Sequence, residues 1–111
     1  MKYSVKPAGD SVIIITIESE IMQEDVEGLK NALIELLEKG HQKVVLDMSG
    51  CEYITSMGLS AIFGAKKRFS SAGGDIKIAG INKLIRNLFE LTNLTKKISI
   101  FDQIEDAVKS F

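Results

Sequence analysis

The sequence predicts an α/β fold with a mostly parallel central sheet and about four α-helices, in the order β-β-α-β-α-β-α-β-α. Short β-branched runs alternate along the chain with segments whose apolar residues recur every three or four positions. Strands that alternate with helices form parallel sheets with right-handed crossovers. The length of 111 residues, with one proline and no Pro/Ser linker, predicts a single domain over residues 1–111. The pattern leaves open whether the helices cover one face of the sheet or both.

The first half of the chain predicts a hairpin, a helix and a strand. Tyr3–Ala8 and residues 11–18 have strand composition and meet at a Gly9-Asp10 turn. Residues 24–40 have leucines at helical spacing, acidic residues at the start and Gly40 as the expected stop. Residues 43–48 (KVVLDM) follow as a buried strand.

The second half predicts three helices and two short strands. A helix begins at residue 56 and ends at Gly73-Gly74, and the strand Asp75–Ala79 follows. Residues 82–91 have a helical apolar stripe, and residues 98–101 form the last strand. The final helix carries Asp102 as its expected N-cap.

Composition disfavours some classes of protein and excludes others. Lys and Arg total 14 against 15 Asp and Glu, and a dedicated nucleic-acid or anionic-membrane binder shows a basic excess. One cysteine and one histidine cannot form a disulfide or a closed zinc site. The N-terminal residues lack a signal-peptide core, and no apolar run is long enough to span a bilayer. We therefore expect a cytoplasmic protein with no membrane insertion, no metal and no cofactor.

The most informative segment is 47–59 (DMSGCEYITSMGL), where a buried strand ends and a helix begins. Ser56 is the expected N-cap of that helix, and capping alone could explain it. It also follows the carboxyl end of a strand, where α/β sheets place ligand sites. A phosphate at this position would meet the positive end of the helix. Gly58 is expected to leave the first turn uncovered, so that another surface can approach the backbone.

This segment resembles the STAS domain of bacterial anti-sigma factor antagonists. The family pattern is a strand ending in Asp-Leu-Ser, a loop with an aromatic residue, and then Asp-Ser-Ser/Thr/Ala-Gly-Leu. The matching positions here are Asp47-Met48-Ser49, Tyr53 and Thr55-Ser56-Met57-Gly58-Leu59. Glu20-Ile21, Gly73-Gly74 and residues 84–94 extend the resemblance along the chain.

The resemblance implies a protein-binding switch rather than an enzyme. In the family, an anti-sigma factor that is also a GHKL-type serine/threonine kinase phosphorylates the first serine of the motif, which is Ser56 here. The unphosphorylated antagonist binds that kinase and frees the sigma factor for transcription, and a serine phosphatase restores the unphosphorylated form. The expected partner-binding residues are Met22, Gln23, Tyr53, Thr55, Ser56, Met57, Gly58 and Leu59.

Three departures from the family pattern keep alternatives open. Thr55 replaces the acidic residue before the serine, Met57 replaces a small residue after it, and Met22 replaces an aspartate before the first helix. The methionines fit either an interface or core filler. The departures favour, as the alternative, an unphosphorylated subunit bound to the ATPase of an ABC-type lipid transporter.

Other residues suggest weaker hypotheses. An enzyme using Ser56 or Cys51 as nucleophile is a third class, disfavoured because no Ser-His-Asp pattern and no cation beside the thiol is present. His41 is expected to be a solvated turn residue. The basic run Lys66-Lys67-Arg68 is either a solvated face or a docking site for an acidic partner.

Overall fold

The computed structural model describes residues 1–111, and its strands form one five-stranded sheet in the order β1-β2-β3-β4-β5. The strands are β1 (Tyr3–Ala8), β2 (Val12–Ile17), β3 (Lys43–Asp47), β4 (Asp75–Ala79) and β5 (Ile100–Phe101). Strand β1 is antiparallel to β2, and every other neighbouring pair is parallel. The predicted α/β class and element order are confirmed.

The helices divide unequally between the two faces of the sheet. They are α1 (Val26–Glu38), α2 (Ser56–Ser71), α3 (Lys83–Leu91) and α4 (Ile104–Lys109), with 3-10 turns at Gln23–Asp25 and Leu94–Lys96. The larger core joins Ile13, Ile15 and Ile17 of β2 to buried residues of α1, α2 and α3. The alternate residues of β2 face the other way and meet Ala107 of α4. Helices therefore cover both faces, three on one and α4 on the other.

Several predicted boundaries shift for local reasons. Ser11 has a φ of +64° and lies in the hairpin turn, so β2 begins at Val12. Strand β5 is limited to Ile100–Phe101. Asp102 does not cap α4, because the N-cap position is Gln103. The carboxylate of Asp102 instead accepts from Arg86 at 3.1 Å. Gly40 ends α1 as predicted, with a φ of +94°.

Strand β1 is one edge of the sheet. The N–H of Glu18 donates to the carbonyl of Lys2 at 2.8 Å. Because bonded and non-bonded pairs alternate in an antiparallel ladder, the backbone groups of Tyr3, Val5 and Pro7 face away from β2. Pro7 therefore occupies an outward position, where its missing N–H breaks no bond of the ladder.

None of the four α-helices could span a bilayer.

Candidate functional site

The site is assembled where β2 and β3 end, from two segments that the chain brings together. Ile21 and Ile54 form an isolated parallel bridge. The N–H of Ile21 donates to the carbonyl of Tyr53 at 2.9 Å, and the N–H of Thr55 donates to the carbonyl of Ile21 at 3.0 Å. The bridge places Met22 beside the loop that precedes α2.

Further hydrogen bonds fix that loop to the sheet and to α3. The carboxylate of Asp47, 4% exposed, accepts from the N–H and hydroxyl of Ser49 and from the hydroxyl of Thr16. The side-chain amide of Asn82 donates to the carbonyl of Glu52 at 2.9 Å. The loop is thus held at its start and in its middle, which limits the conformations open to the site.

Thr55, rather than Ser56, is the N-cap of α2, so the prediction for Ser56 is wrong in this respect. Thr55 has extended backbone angles, and its hydroxyl accepts from the N–H of Gly58 at 3.1 Å. Ser56 is the first helical residue, and its exposed hydroxyl has no hydrogen-bond partner within the chain. Capping therefore does not explain Ser56, and its hydroxyl is free for chemistry.

Gly58 faces the interior, so the prediction that it exposes the first turn to a partner is wrong. A Cβ at this position would lie 2.7 Å from Cγ1 of Ile54 and 3.1 Å from Cγ2 of Ile21. The missing side chain lets α2 pack directly on the Ile21–Ile54 bridge. Leu59 is only 3% exposed. Neither residue lies on the surface, and both position α2 by packing inward.

Three large side chains remain exposed around Ser56. Met22 is 36% exposed, Tyr53 is 39% and Met57 is 52%. The sequence left open whether Met57 belongs to an interface or to the core, and its exposure shows that it is not a core residue. Gln23 is also exposed. Met22, Tyr53, Ser56 and Met57 are called the switch face below.

Asp25 is a positioning residue that sequence reasoning missed, having assigned it only to the helix dipole. One of its carboxylate oxygens accepts from the amino group of Met1 and the other from the N–H of Met22, each at 2.8 Å. The Met1 ammonium, followed by the Met22 N–H, lowers the pKa of the Asp25 carboxyl. An acidic residue three positions after Met22 was the available signal, since that spacing is typical of a capping box.

Cys51 and His41 are not arranged for nucleophilic catalysis. Cys51 is buried and donates to the carbonyl of Tyr53, and burial raises the pKa of its thiol. His41 precedes the N-terminal end of β3, whereas Ser56 follows its C-terminal end. The backbone N–H of His41 donates to the carbonyl of Leu36. No group of three or more His, Cys, Asp or Glu side chains converges to hold a metal ion.

Comparison with known proteins identifies the family and the fold of the chain. The family model described as STAS domain matches residues 3–107. A candidate anti-sigma factor antagonist of Thermotoga maritima is 32% identical over 101 residues, which are 90% of this chain and 89% of that protein. A crystal structure of such a Thermotoga maritima protein superposes with a TM-score of 0.91 at 30% identity, covering 97% of this chain and 92% of the other.

Two structures with lower sequence identity share the fold alone. The anti-sigma factor antagonist SpoIIAA in its unphosphorylated form has a TM-score of 0.76 at 12% identity, covering 98% of this chain and 96% of that one. The phosphorylated form, described as a Bacillus cell fate determinant, gives the same TM-score at 13% identity, covering 98% of each chain. The proteins named as antagonists are regulatory binding proteins rather than enzymes.

Proposed function

The chain belongs to the STAS-domain family, and we propose that it is an anti-sigma factor antagonist whose binding is controlled at Ser56. Unphosphorylated, it binds an anti-sigma factor that is also a GHKL-type serine/threonine kinase, and so regulates sigma-factor-dependent transcription in the cytoplasm. Phosphorylation of Ser56 ends the complex, and a serine phosphatase restores it. One observation carries the proposal: a serine hydroxyl with no internal partner lies among three exposed apolar side chains.

The switch face has the composition of a binding surface. Met and Tyr are enriched at protein interfaces, where a few buried anchors supply most of the binding free energy. Met57 adjoins Ser56 in the first turn of α2. Consecutive residues point about 100° apart around a helix, so a partner that contacts both sides of this turn covers Met57 and the Ser56 hydroxyl together, which would couple binding to phosphorylation.

The fold can accept a phosphate at Ser56 without rearranging. Phosphoserine carries about −1.5 to −2 charges at neutral pH, and negative charge at a helix N-terminus is favourable by roughly 0.3–1 kcal/mol. Thr55 retains a capping side chain while adding no negative charge beside the phosphate. The partner, by contrast, must desolvate a strongly hydrated anion in place of a small hydroxyl. Phosphorylation thus acts by excluding the partner, not by changing the domain.

Site mapping tests the assignment of Ser56. The kinase and ATP are expected to label wild type once, at Ser56, and to leave Ser56→Ala unlabelled while that variant still binds. Ser60→Ala is the matched control, because Ser60 is also exposed and lies one turn further along α2. The Ser49 hydroxyl bonds to Asp47 and that of Thr55 to Gly58. Labelling at Ser49, Thr55 or Ser60 instead contradicts the proposal.

The exclusion mechanism has its own measurement. Amide chemical shifts of phosphorylated and free protein are expected to differ near Ser56 and in the Ile21–Ile54 bridge only. Shifts that extend through β5 and α4 would show a rearrangement and refute exclusion.

The transporter alternative rests on Thr55 and Met57, which depart from the family motif. An affinity capture from the source cell separates the two functions. Recovery of a GHKL-type kinase supports the antagonist, whereas recovery of a transporter ATPase without phosphorylation supports the alternative.

A further inference from the structure

We infer that a basic groove beginning at Ser56 is the docking site for an acidic segment of the anti-sigma factor, an inference that rests on the proposed function. The groove has a volume of about 340 Å³ and lies between α2 and the chain around Leu94. Leu59, Phe63 and Leu94 are its apolar residues. Its remaining lining residues are Ser56, Ser60, Gly64, Lys67 and Thr92. The groove is therefore continuous with the switch face, since both contain Ser56.

Two lysines approach the Phe63 ring at the far end of the groove: Lys67 lines the groove, and Lys97 flanks it. The Nζ atom of Lys67 lies 4.9 Å from the centre of the Phe63 ring, and the Nζ atom of Lys97 lies 5.2 Å from the same centre. Neither lysine is within salt-bridge distance of an acidic group, whereas Lys66, the first residue of the basic run, pairs with Asp75. No Asp or Glu lines the groove. The positive potential is local, because the whole chain has a net charge of −1.

These contacts specify an acidic occupant. The Phe63 ring keeps both ammonium groups close to it, neither has an acidic partner within the chain, and both would attract a carboxylate placed beside the ring. Ser56 and Lys67 are eleven residues apart on one helix, a rise of about 16 Å. The occupant therefore presents an apolar side chain to the half-buried Phe63 and Leu94, and acidic side chains about three helical turns from Ser56.

An acidic occupant also adds to the effect of phosphorylation. A phosphate on Ser56 introduces negative charge at the start of the groove, where it repels the occupant's carboxylates. Rim charges of this kind act mainly on the rate of association and on its salt dependence. The lysines therefore accelerate capture of the partner and make capture sensitive to the charge at Ser56.

Charge reversal tests the inference in the complete complex. The affinity of Lys67→Glu/Lys97→Glu for the kinase-type anti-sigma factor is measured by calorimetry at about 50 mM and about 300 mM NaCl. We expect binding about tenfold weaker than wild type at the lower salt concentration, with much less salt dependence. Lys6→Glu/Lys43→Glu is the matched control, because it makes the same charge change at two exposed lysines outside the groove. It is expected to bind nearly as wild type does.

Each other outcome overturns the inference in a distinguishable way. A reversed variant that binds like wild type, or no more weakly than the control, refutes the groove and leaves the proposed function standing. Wild type that binds no anti-sigma factor refutes the proposed function and the named occupant together. If inorganic phosphate competes with the anti-sigma factor at these lysines, the occupant is a free anion. If wild type self-associates and the reversed variant does not, the occupant is a second copy of the chain. If the reversed variant does not fold, Lys67→Gln/Lys97→Gln supplies the same test with a smaller expected effect.

Discussion

Substitution of Gly58 by alanine tests the packing on which the switch face depends. A Cβ at this position would lie 2.7 Å and 3.0 Å from Cγ1 and Cδ1 of Ile54, and 3.1 Å from Cγ2 of Ile21. Both isoleucines are completely buried, and their backbones are joined by the bridge. Neither can yield freely, so the added methyl group must move the start of α2.

The size of the effect follows from two opposing contributions. Replacing glycine by alanine inside a helix is favourable by up to about 1 kcal/mol. Overpacking a dense core costs about 1–3 kcal/mol. We therefore expect Gly58→Ala to lower the free energy of unfolding by about 1 kcal/mol, or roughly 4–8 °C in Tm for a domain of this size.

Gly64 and Gly28 provide matched controls. A Cβ at either position meets nothing within 4 Å, and the two glycines lie within α2 and α1. Gly64→Ala and Gly28→Ala are expected to raise the free energy of unfolding by up to about 1 kcal/mol each. Urea unfolding of the three variants measures the contrast. If Gly58→Ala is stabilised as much as the controls, the inward packing described for Gly58 is wrong.

Two further substitutions separate binding from stability. Met57→Asp is expected to weaken partner binding at least tenfold with little change in Tm, because Met57 is 52% exposed and an acidic residue is favourable in the first turn. Leu91→Gln is the control, since it removes an 81% exposed leucine of α3 without adding charge, and it is expected to leave both nearly unchanged. A large loss of stability without a selective binding defect would place Met57 in the core. Thr55→Val removes the hydroxyl that accepts from the N–H of Gly58 and is expected to lower the free energy of unfolding by about 1 kcal/mol. Thr55→Ser keeps a hydroxyl and is expected to unfold nearly as wild type does. Equal stability of the valine variant and wild type would show that the cap contributes nothing.

Periodicity predicted the fold because each strand and helix has a local pattern. The strand β2 and the helix α1 are recognised from apolar residues that recur every two to four positions, and this spacing is visible in the sequence. Ile21 and Ile54 pair over a single residue each. A one-residue bridge has no period, so the contact that brings Met22 to the loop was not predictable from pattern.

The errors at the start of α2 have a common cause. Thr55 and Ser56 are adjacent and both suit an N-cap, so residue type does not decide between them. A shift of one residue turns the helix by about 100°, and the side on which Gly58 lies changes with it. Only packing against Ile21 and Ile54 fixes the register. The assignment of Ser56 as the candidate phosphorylation site does not change with this error, because the motif match does not depend on which residue is the N-cap.

The outward edge of β1 affects how the protein behaves when concentrated. Backbone groups of Tyr3 and Val5 face outward there, and an incoming strand would bond to them until it reached Pro7, which offers no N–H. Lys2 and Lys6 flank the same stretch, and in an antiparallel copy centred on Ser4 they would lie opposite each other and repel. Proline and lysine on an edge strand oppose strand-to-strand aggregation. The folded domain is thereby protected at this edge from adding strands of other copies when its concentration is high.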